Sequence, residues 1–305
     1  NNNAIEDPVY TPSAADITAG SVILTLTATG NAPCGNDVDA MQLNITAAPD
    51  ADAGVDATIC EGSTYTLAAT ATNYASLLWT TSGTGSFSNA TIEDPVYTPS
   101  ADDITAGFVI LTLTATGNAP CGNDADAMQL NITAAPDADA GVDATICEGS
   151  THTLAATAAN YASLLWTTSG TGSFNNNAIE DPVYTPSAAD ITAGFVILTL
   201  TATGNAPCGV ATDNMRLNIT AAPAADAGPD ATICSNTTHT LAATASNYAS
   251  LLWTTSGTGS FSNATIEDPV YTPSAADITA GFVILTLTAT GNAPCGNDVD
   301  AMQLN

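Results

Sequence analysis

Alternating apolar and polar residues recur along the chain and predict short β-strands, because successive side chains of a strand point to opposite faces. The run 108–116 alternates in this way, and so does the run 128–133. Shorter runs rich in Thr, Val, Leu and aromatic residues predict further strands over 64–72, 76–81 and 95–98. Turns rich in Gly, Asn and Pro separate these runs, so the pattern predicts an all-β chain.

A helix is predicted at one place in the repeating pattern, over 99–106, where Ser100 or Asp102 could cap a single turn. Trp79 lies in one predicted strand and Tyr97 in another, and we expect both rings in the core. Seven or so short strands around a central tryptophan are typical of an immunoglobulin-like β-sandwich.

The sequence repeats one unit of 87 residues, as the spacing of Trp79, Trp166 and Trp253 shows. Such a unit is too long for a solenoid repeat and suits a small β-domain. The predicted architecture is therefore a linear array of tandem immunoglobulin-like sandwich domains. The first repeat is 1–48, the second 49–135, the third 136–222 and the fourth 223–305.

Both ends of the chain fall inside a repeat. Residue 1 corresponds to Ser88 and Asn175, so the first repeat lacks the segment for its first three strands. The fourth repeat lacks only the end of its last strand. We therefore expect a segment of a longer array. This segment contains no signal peptide or transmembrane run, so no direct membrane insertion is predicted for it.

The charge balance excludes several classes of function. The 305 residues include 30 Asp and Glu but one basic residue, Arg216, which gives a formal net charge of −29. Nucleic-acid binding needs clustered Lys and Arg, and lysine chemistry is impossible without lysine. Only two histidines are present, at positions that Tyr65 occupies in the second repeat, so no enzymatic activity is expected. Because 45% of residues are hydrophobic, the chain is not a disordered acidic tail.

Each of the last three repeats carries two cysteines, which indicates disulfides and an oxidising, extracellular setting. The simpler expectation pairs them within a repeat, as Cys60–Cys121, Cys147–Cys208 and Cys234–Cys295. In a simple sandwich, however, these two loops lie at opposite poles, about 30 Å apart, whereas a disulfide needs Cα atoms about 5.5 Å apart. Pairing between neighbouring repeats, for instance Cys60 with Cys208, is therefore the alternative.

Carboxylates concentrate where one repeat joins the next, and hard oxygen ligands of this kind suit Ca²⁺. The alternative is that they form turns and a solvated surface. At the third junction Ala224 replaces the first aspartate, which argues against a strict requirement for a metal. The candidate Ca²⁺ ligands are Asp50, Asp52, Asp56, Asp124, Asp126, Asp137, Asp139 and Asp143.

Asn-x-Thr triplets recur and could accept glycans if the host has the machinery. They also arise by chance in threonine-rich strands. The candidate positions are Asn44, Asn89, Asn131, Asn218, Asn236 and Asn263.

Four sequence strings carry a family resemblance: 53–60, 79–87, 95–100 and 111–121. They resemble the PKD-like and immunoglobulin-like repeats of very large surface proteins of Bacteroidota-type bacteria, and the match covers every copy. Such domains serve as stalks, adhesive modules and filament subunits alike. The near-identical copies favour an extracellular stalk or filament on the cell surface, by self-association or head-to-tail continuation into a longer polymer, because they suggest that length matters more than the specificity of any one domain. The alternative is a multivalent adhesin that binds glycans or surfaces.

Overall fold

The structure is a computed structural model that describes residues 4–305. The first repeat contains α1 (Ala14–Ala19), β1 (Ser21–Ala28) and β2 (Asp37–Asn44). The second contains β3 (Asp50–Asp52), β4 (Ala57–Cys60), β5 (Tyr65–Thr66), β6 (Thr70–Thr72), β7 (Tyr74–Thr81), β8 (Ser86–Phe87), β9 (Val96–Thr98), α2 (Ala101–Ala106), β10 (Phe108–Gly117) and β11 (Asn123–Thr133).

The third repeat follows the same order, and the fourth follows it except that no strand corresponds to β4. The third contains β12 (Asp137–Asp139), β13 (Ala144–Cys147), β14 (His152–Thr153), β15 (Thr157–Ala159), β16 (Tyr161–Thr168), β17 (Ser173–Phe174), β18 (Val183–Thr185), α3 (Ala188–Ala193), β19 (Phe195–Gly204) and β20 (Val210–Thr220). The fourth contains β21 (Ala224–Asp226), β22 (His239–Thr240), β23 (Thr244–Ser246), β24 (Tyr248–Thr255), β25 (Ser260–Phe261), β26 (Val270–Thr272), α4 (Ala275–Ala280), β27 (Val283–Gly291) and β28 (Asn297–Leu304).

Each complete repeat is a sandwich built around a long hairpin. In the second repeat β10 and β11 form the centre of a four-stranded sheet in the order β4-β11-β10-β7. Strand β4 is parallel to β11, while the other pairs are antiparallel. A three-stranded sheet, β5-β9-β8, and the pair β3-β6 complete the fold. The predicted all-β sandwich is confirmed.

The core is formed by the alternating residues that the sequence pattern singled out. Leu111, Leu113 and Leu130 are fully buried on the inner face of the larger sheet. Trp79 and Tyr97 are buried among them, as expected. The indole Nε1 of Trp79 donates to the carbonyl oxygens of Ile92 and Glu93, at 3.2 and 3.1 Å, so the buried ring keeps its hydrogen bond.

The single strand predicted over 64–72 is wrong, because the structure has two short strands there. β5 pairs with β9, and β6 pairs with β3. Between and beside these pairings, side-chain carboxylates take the place of a strand partner. Asp94 accepts the Ala69 N–H at 2.9 Å, and Glu93 accepts the Ala71 N–H at 3.0 Å.

The predicted helical turn is confirmed, and Ser100 is its N-cap residue. Ser100 accepts a hydrogen bond from the Asp103 backbone N–H, while the Asp103 carboxylate accepts the Ser100 N–H. This reciprocal pair is a capping box. Asp102, the other candidate cap, lies exposed in the first turn and accepts a hydrogen bond from Thr84 Oγ1.

The first repeat consists of the α1 turn and the β1–β2 hairpin, with the same register as β10–β11. Its core positions are uncovered: Leu26 and Met41 are 60% and 58% exposed, whereas the equivalent Leu113 and Met128 are 0% and 2% exposed. In the second repeat, the equivalent face is therefore buried by that repeat's own strands that precede α2.

The chain divides into two compact units. The first ends at Ala135 and includes Ala206–Cys208, and the second comprises Pro136–Asn205 and Gly209–Asn305. Three hydrophobic cores lie in the second, third and fourth repeats. The predicted repeat boundaries stay predictions. Within residues 4–305, no helix has the length and apolar character that a membrane span requires.

Candidate functional site: the inter-repeat cystine and its linker

Two cystines join cysteines of neighbouring repeats: Cys60 with Cys208, and Cys147 with Cys295. Each bridge spans 148 residues of sequence, and each Cα–Cα distance is 4.9 Å. The expected pairing within a repeat is therefore wrong, and the alternative between repeats is the one formed.

The remaining cysteines of the described chain are free thiols. Cys34 and Cys234 are exposed, and Cys121 is half-buried. The Cys121 thiol lies 3.3 Å from the Thr46 carbonyl oxygen, the same position relative to its linker that the bridged Cys208 takes at Thr133. The predicted pairs Cys60–Cys121 and Cys234–Cys295 are therefore wrong as well.

Strand geometry explains the pairing. Cys147 ends β13 and lies opposite Thr220, the last residue of the parallel strand β20. Cys208 precedes the start of β20, which is 11 residues long. The two cysteines of the third repeat therefore lie at opposite ends of a strand of about 36 Å, and neither can reach the other.

The linker between the third and fourth repeats is held from the third repeat by Glu148. Its backbone N–H donates to the Thr220 carbonyl oxygen at 2.8 Å. Its carboxylate Oε2 accepts the Ala222 N–H at 3.1 Å. One residue, directly after the bridged cysteine, thus binds both the last residue of β20 and the middle of the linker 221–223.

The fourth repeat holds the same linker from the other side. The Cys295 sulfur lies 3.4 Å from the Thr220 carbonyl oxygen. The Asn247 side-chain amide donates to the Ala222 carbonyl oxygen at 3.0 Å, and Asn292 donates to the Asn247 carbonyl oxygen at 3.2 Å. Asn247 has a positive φ of 55°, a conformation that asparagine tolerates better than most residues. The linker is therefore hydrogen-bonded by both repeats and crossed by a covalent bond.

The first compact unit contains an equivalent arrangement. Glu61 donates its N–H to the Thr133 carbonyl oxygen at 2.8 Å and accepts the Ala135 N–H at 3.1 Å. The Cys208 sulfur lies 3.4 Å from the Thr133 carbonyl oxygen and is bonded to Cys60. The glutamate contacts and the cystine thus recur at this linker.

The fourth repeat departs from this pattern after its own first cysteine. Ser235 stands where Glu61 and Glu148 stand in the earlier copies. Cys234 is exposed, and Ala231 is joined to Leu304 by a single parallel bridge in place of a strand like β4. In the fourth repeat a serine therefore replaces the clamp glutamate, and the preceding cysteine is a free thiol.

The predicted Ca²⁺ ligands on the long hairpin bind backbone amides. Asp124 Oδ2 accepts the Ala51 N–H and Asp126 Oδ2 accepts the Ala53 N–H, each at 2.9 Å. Ala53 is fully buried, so its amide depends on this partner. These carboxylates close the free edge of β3.

The candidate ligands near the linkers behave in the same way. Asp52 and Asp139 accept the N–H of the glycine two residues on, each at 2.8 Å. Asp56 accepts the Gln129 N–H at 2.7 Å, and Asp143 accepts the Arg216 N–H at 2.8 Å. Asp137 accepts the N–H of the next residue, and Asp50 is exposed in β3.

These hydrogen bonds account for most of the acidic positions without a cation. Within residues 4–305, no three His, Cys, Asp or Glu side chains are grouped as a metal site requires. The Ca²⁺ site at the junctions stays a prediction.

One carboxylate in each complete repeat is buried, and sequence reasoning did not single it out. Asp103 is 1% exposed and accepts hydrogen bonds from the Tyr97 hydroxyl at 2.8 Å and from the Thr84 and Gly85 N–H groups at 2.9 and 3.0 Å. A Cβ at Gly83 would collide with Oδ1 of Asp103. This contact explains the glycine in the turn between β7 and β8.

The hydrogen bonds set the charge state of this cluster. Burial alone would raise the pKa of Asp103, but donation from Ser100, Thr84 and Tyr97 outweighs it and lowers the pKa below its usual range. The equivalent Asp277 has a pKa of about 2. Burial raises the pKa of Tyr97 to about 12. The carboxylate is thus ionised and the phenol neutral, a pair that ties two strands and α2 together.

Two of the predicted glycan acceptors make structural hydrogen bonds. The Asn131 and Asn218 amides donate to the carbonyl oxygens of Ala57 and Ala144. Asn89 and Asn263 accept hydrogen bonds from the threonine of their own triplet, while Asn44 and Asn236 are exposed. Glycosylation stays a prediction.

No protein-family model matches the chain, and no curated protein matches it in sequence. Solved tandem-repeat structures are similar in fold. The I67–I69 fragment of the titin I-band has 13% identity and a TM-score of 0.50, covering 85% of this chain and 98% of that one. The extracellular cadherin domains 1–4 of protocadherin gamma B7 have 15% identity and a TM-score of 0.45, covering 95% and 84%.

At such low identity the titin fragment shows the fold alone. The protein belongs to the class of tandem immunoglobulin-like β-sandwich repeat proteins. The sequence had no signal for the clamp residues Glu148 and Asn247 beyond their recurrence, because glutamate and asparagine in loops are ordinary surface residues.

Proposed function

We propose that the protein is an extracellular structural repeat protein that forms a stalk or filament on the cell surface, without enzymatic activity. The observation that supports it best is the linker between the third and fourth repeats. Residues of both repeats donate or accept hydrogen bonds at this linker, and the Cys147–Cys295 cystine crosses it. Flexible tethers need no such clamp, because a free linker leaves neighbouring domains independent. Cystines of this kind persist in oxidising compartments.

Mapping of disulfides in native material tests this function. Cells are lysed in an alkylating agent, and the protein is cut with an aspartate-specific protease, since Arg216 gives trypsin a single site. The peptide pair Cys60–Cys208 is recognisable, because Tyr65 and Val210 distinguish these copies from the others. We expect this pair in surface material, together with immunogold labelling of stalks or filaments by electron microscopy. Free thiols at all positions, or labelling confined to the cytoplasm, would contradict the proposal.

The finer assignments belong to the same proposal. A PKD-like subtype, a Bacteroidota-type source and continuation into a longer polymer rest on the sequence strings alone. Ca²⁺ stiffening rests on the junction aspartates, whose second carboxylate oxygens remain as potential ligands. Thermal unfolding with Ca²⁺ and with EGTA, at equal ionic strength, tests it: equal midpoints would reject Ca²⁺ and leave the cystine clamp in place.

A multivalent adhesin is the second candidate. One observation favours it: Phe108, Phe195 and Phe282 are 47%, 41% and 52% exposed at the same position of three repeats. Exposed rings in register could stack on sugars and add weak contacts along the array. A glycan array probed with the protein and with its triple Phe→Ser variant tests this: binding that the variant loses supports adhesion, and absence of binding removes it.

A further inference from the structure

We propose that the two cystines keep the length of the second to fourth repeats nearly constant under tension until the last of the three opens, so that one or two repeats can unfold without lengthening the chain. This inference deepens the structural role proposed above. It rests on the covalent connectivity of the four bridged cysteines and on the strands that lead to them. It needs no assumption about where the protein is located.

The third repeat shows how the load bypasses a domain. Eleven peptide units separate Pro136, at the start of this repeat, from Cys147, and Cys147 is bonded to Cys295 in the fourth repeat. A pull between Pro136 and the fourth repeat is therefore carried by these eleven units. They can span at most about 40 Å, whatever happens to the rest of the repeat.

This segment is already extended in the folded protein. Ala144 lies opposite Leu217, and Cys147 lies opposite Thr220, in the parallel pair of β13 and β20. Further back, the Ala140 N–H donates to Asp213, which keeps the same offset of 73 residues. From Ala140 to Cys147 the segment thus runs alongside β20, and its last four residues pair with β20 at the rise of a strand. Since a strand is close to the fully stretched length of a chain, unfolding releases only a few ångströms.

A second bypass crosses the third repeat in parallel. Cys208 is bonded to Cys60 in the second repeat, and fourteen peptide units lead from Cys208 to Ala222. Most of these units form the extended strand β20. The third repeat is therefore bypassed twice.

The second and fourth repeats are each bypassed once. Eleven peptide units lead from Pro49 to Cys60, and ten lead from Cys295 to Asn305. A repeat without a bypass would instead release its 87 residues, about 300 Å of chain.

The bypasses set the length of the fully unfolded chain. With both cystines the shortest covalent path from Pro49 to Asn305 runs through Cys60, Cys208, Cys147 and Cys295 and has 82 peptide units. With either cystine alone the path has 108 units, and without cystines it has 256. These paths correspond to about 280, 370 and 880 Å.

Single-molecule force spectroscopy tests the inference on the whole chain, held at its two ends. The free thiols are first alkylated, and intact mass confirms both cystines. We expect opening of the first two repeats to add almost no length. Opening of the last one then releases a single step of about 160 Å. The path of 82 units, about 280 Å long, can straighten only then, and it replaces a length of about 120 Å.

Paired serine variants provide matched controls. C60S/C208S should give one step of about 250 Å, from the second repeat, while the third and fourth repeats stay silent. C147S/C295S should also give one such step, from the fourth repeat, and the variant lacking all four cysteines should give three. The 48 residues of the first repeat can add up to about 160 Å in every protein, and this step is identified because it is also present in the variants, whose other steps are about 250 Å.

Three steps of about 250 Å from the fully bridged protein would overturn the inference, and so would two such steps from either paired variant. If the serine variants fold poorly, reduction of the native protein by dithiothreitol in the instrument provides the same comparison. A protein that passes this test but is found inside the cell would refute the proposed function and leave the inference standing.

Discussion

Asp124 accepts the N–H of Ala51 in β3, Asp126 accepts the N–H of Ala53 directly after β3, and this use of a carboxylate recurs throughout the second repeat. Eight of its ten carboxylates accept a hydrogen bond from a backbone amide. Hydrogen bonds to charged acceptors are stronger than neutral ones. Much of the net charge of −29 is therefore part of the internal bonding of the fold.

The buried cluster around Asp103 gives a prediction at this scale. Replacing the buried aspartate of each repeat, as D103N/D190N/D277N, should destabilise every repeat by about 2–3 kcal/mol, because its charged hydrogen bonds are lost. The matched control is D102N, at the exposed neighbour in the same helix, which should change stability by less than about 0.5 kcal/mol. Urea unfolding followed by tryptophan fluorescence measures both. Equal midpoints for the two variants would contradict the assignment.

The same variants should differ in their response to acid. The pKa of Asp277 is lowered to about 2 in the folded state, from about 3.9 in an unfolded chain. Its contribution is therefore fully present above about pH 4 and is lost as the pH falls towards 2. The native protein should lose stability over this interval more steeply than the triple asparagine variant.

At the scale of elements, the short strand β3 shows how the sheets end. β3 pairs with β6 on one side, and on its other side Asp124 and Asp126 accept its amides. An open strand edge invites pairing with other chains. Charged side chains that occupy the edge amides remove that option, which matters for copies so similar in sequence.

This arrangement predicts unequal effects of two neighbouring substitutions. D126A/D213A/D300A should lower the thermal midpoint clearly, because each change leaves a buried amide unsatisfied at a cost of about 1–3 kcal/mol. D124A/D298A should cost less, since the third repeat already carries Ala211 at this position and keeps the same strands. Thermal unfolding followed by circular dichroism measures both. A larger loss in the second variant would contradict the prediction.

At the scale of the whole molecule, the charge has almost no positive partner. Arg216 is the sole basic residue, and its guanidinium lies 4.1 Å from the ring centroid of Phe195. The carboxylates therefore repel one another over distances comparable to the Debye length. The cystines and the clamped linkers hold neighbouring repeats together against this repulsion.

Added salt should therefore stabilise the protein. Raising NaCl from about 10 to 300 mM shortens the Debye length from about 30 Å to below 10 Å and should raise the thermal midpoint by several degrees. Sucrose at equal osmolality is the control for solvent exclusion. A midpoint that does not change with NaCl would show that repulsion between carboxylates contributes little.

The sequence by itself determined the repeat, the strands of the long hairpin, the capped turn and the core positions of Trp79 and Tyr97. Each of these depends on residues close together in the chain or on strict periodicity. The alternation of β10 fixes which side chains face inward, whatever they pack against. The split of 64–72 into two strands escaped prediction, because it depends on Glu93 and Asp94, more than twenty residues away.

Only the tertiary structure decided which cysteines pair and which backbone amides the carboxylates bind. Cys147 meets Cys295 because β13 lies parallel to β20 at an offset of 73 residues, which brings it to the linker where the loop of the next repeat arrives. Local pattern contains no information on that offset. Cysteine spacing therefore left both pairings open, and acidic composition did not identify the amides that the aspartates bind, until the strands were placed side by side.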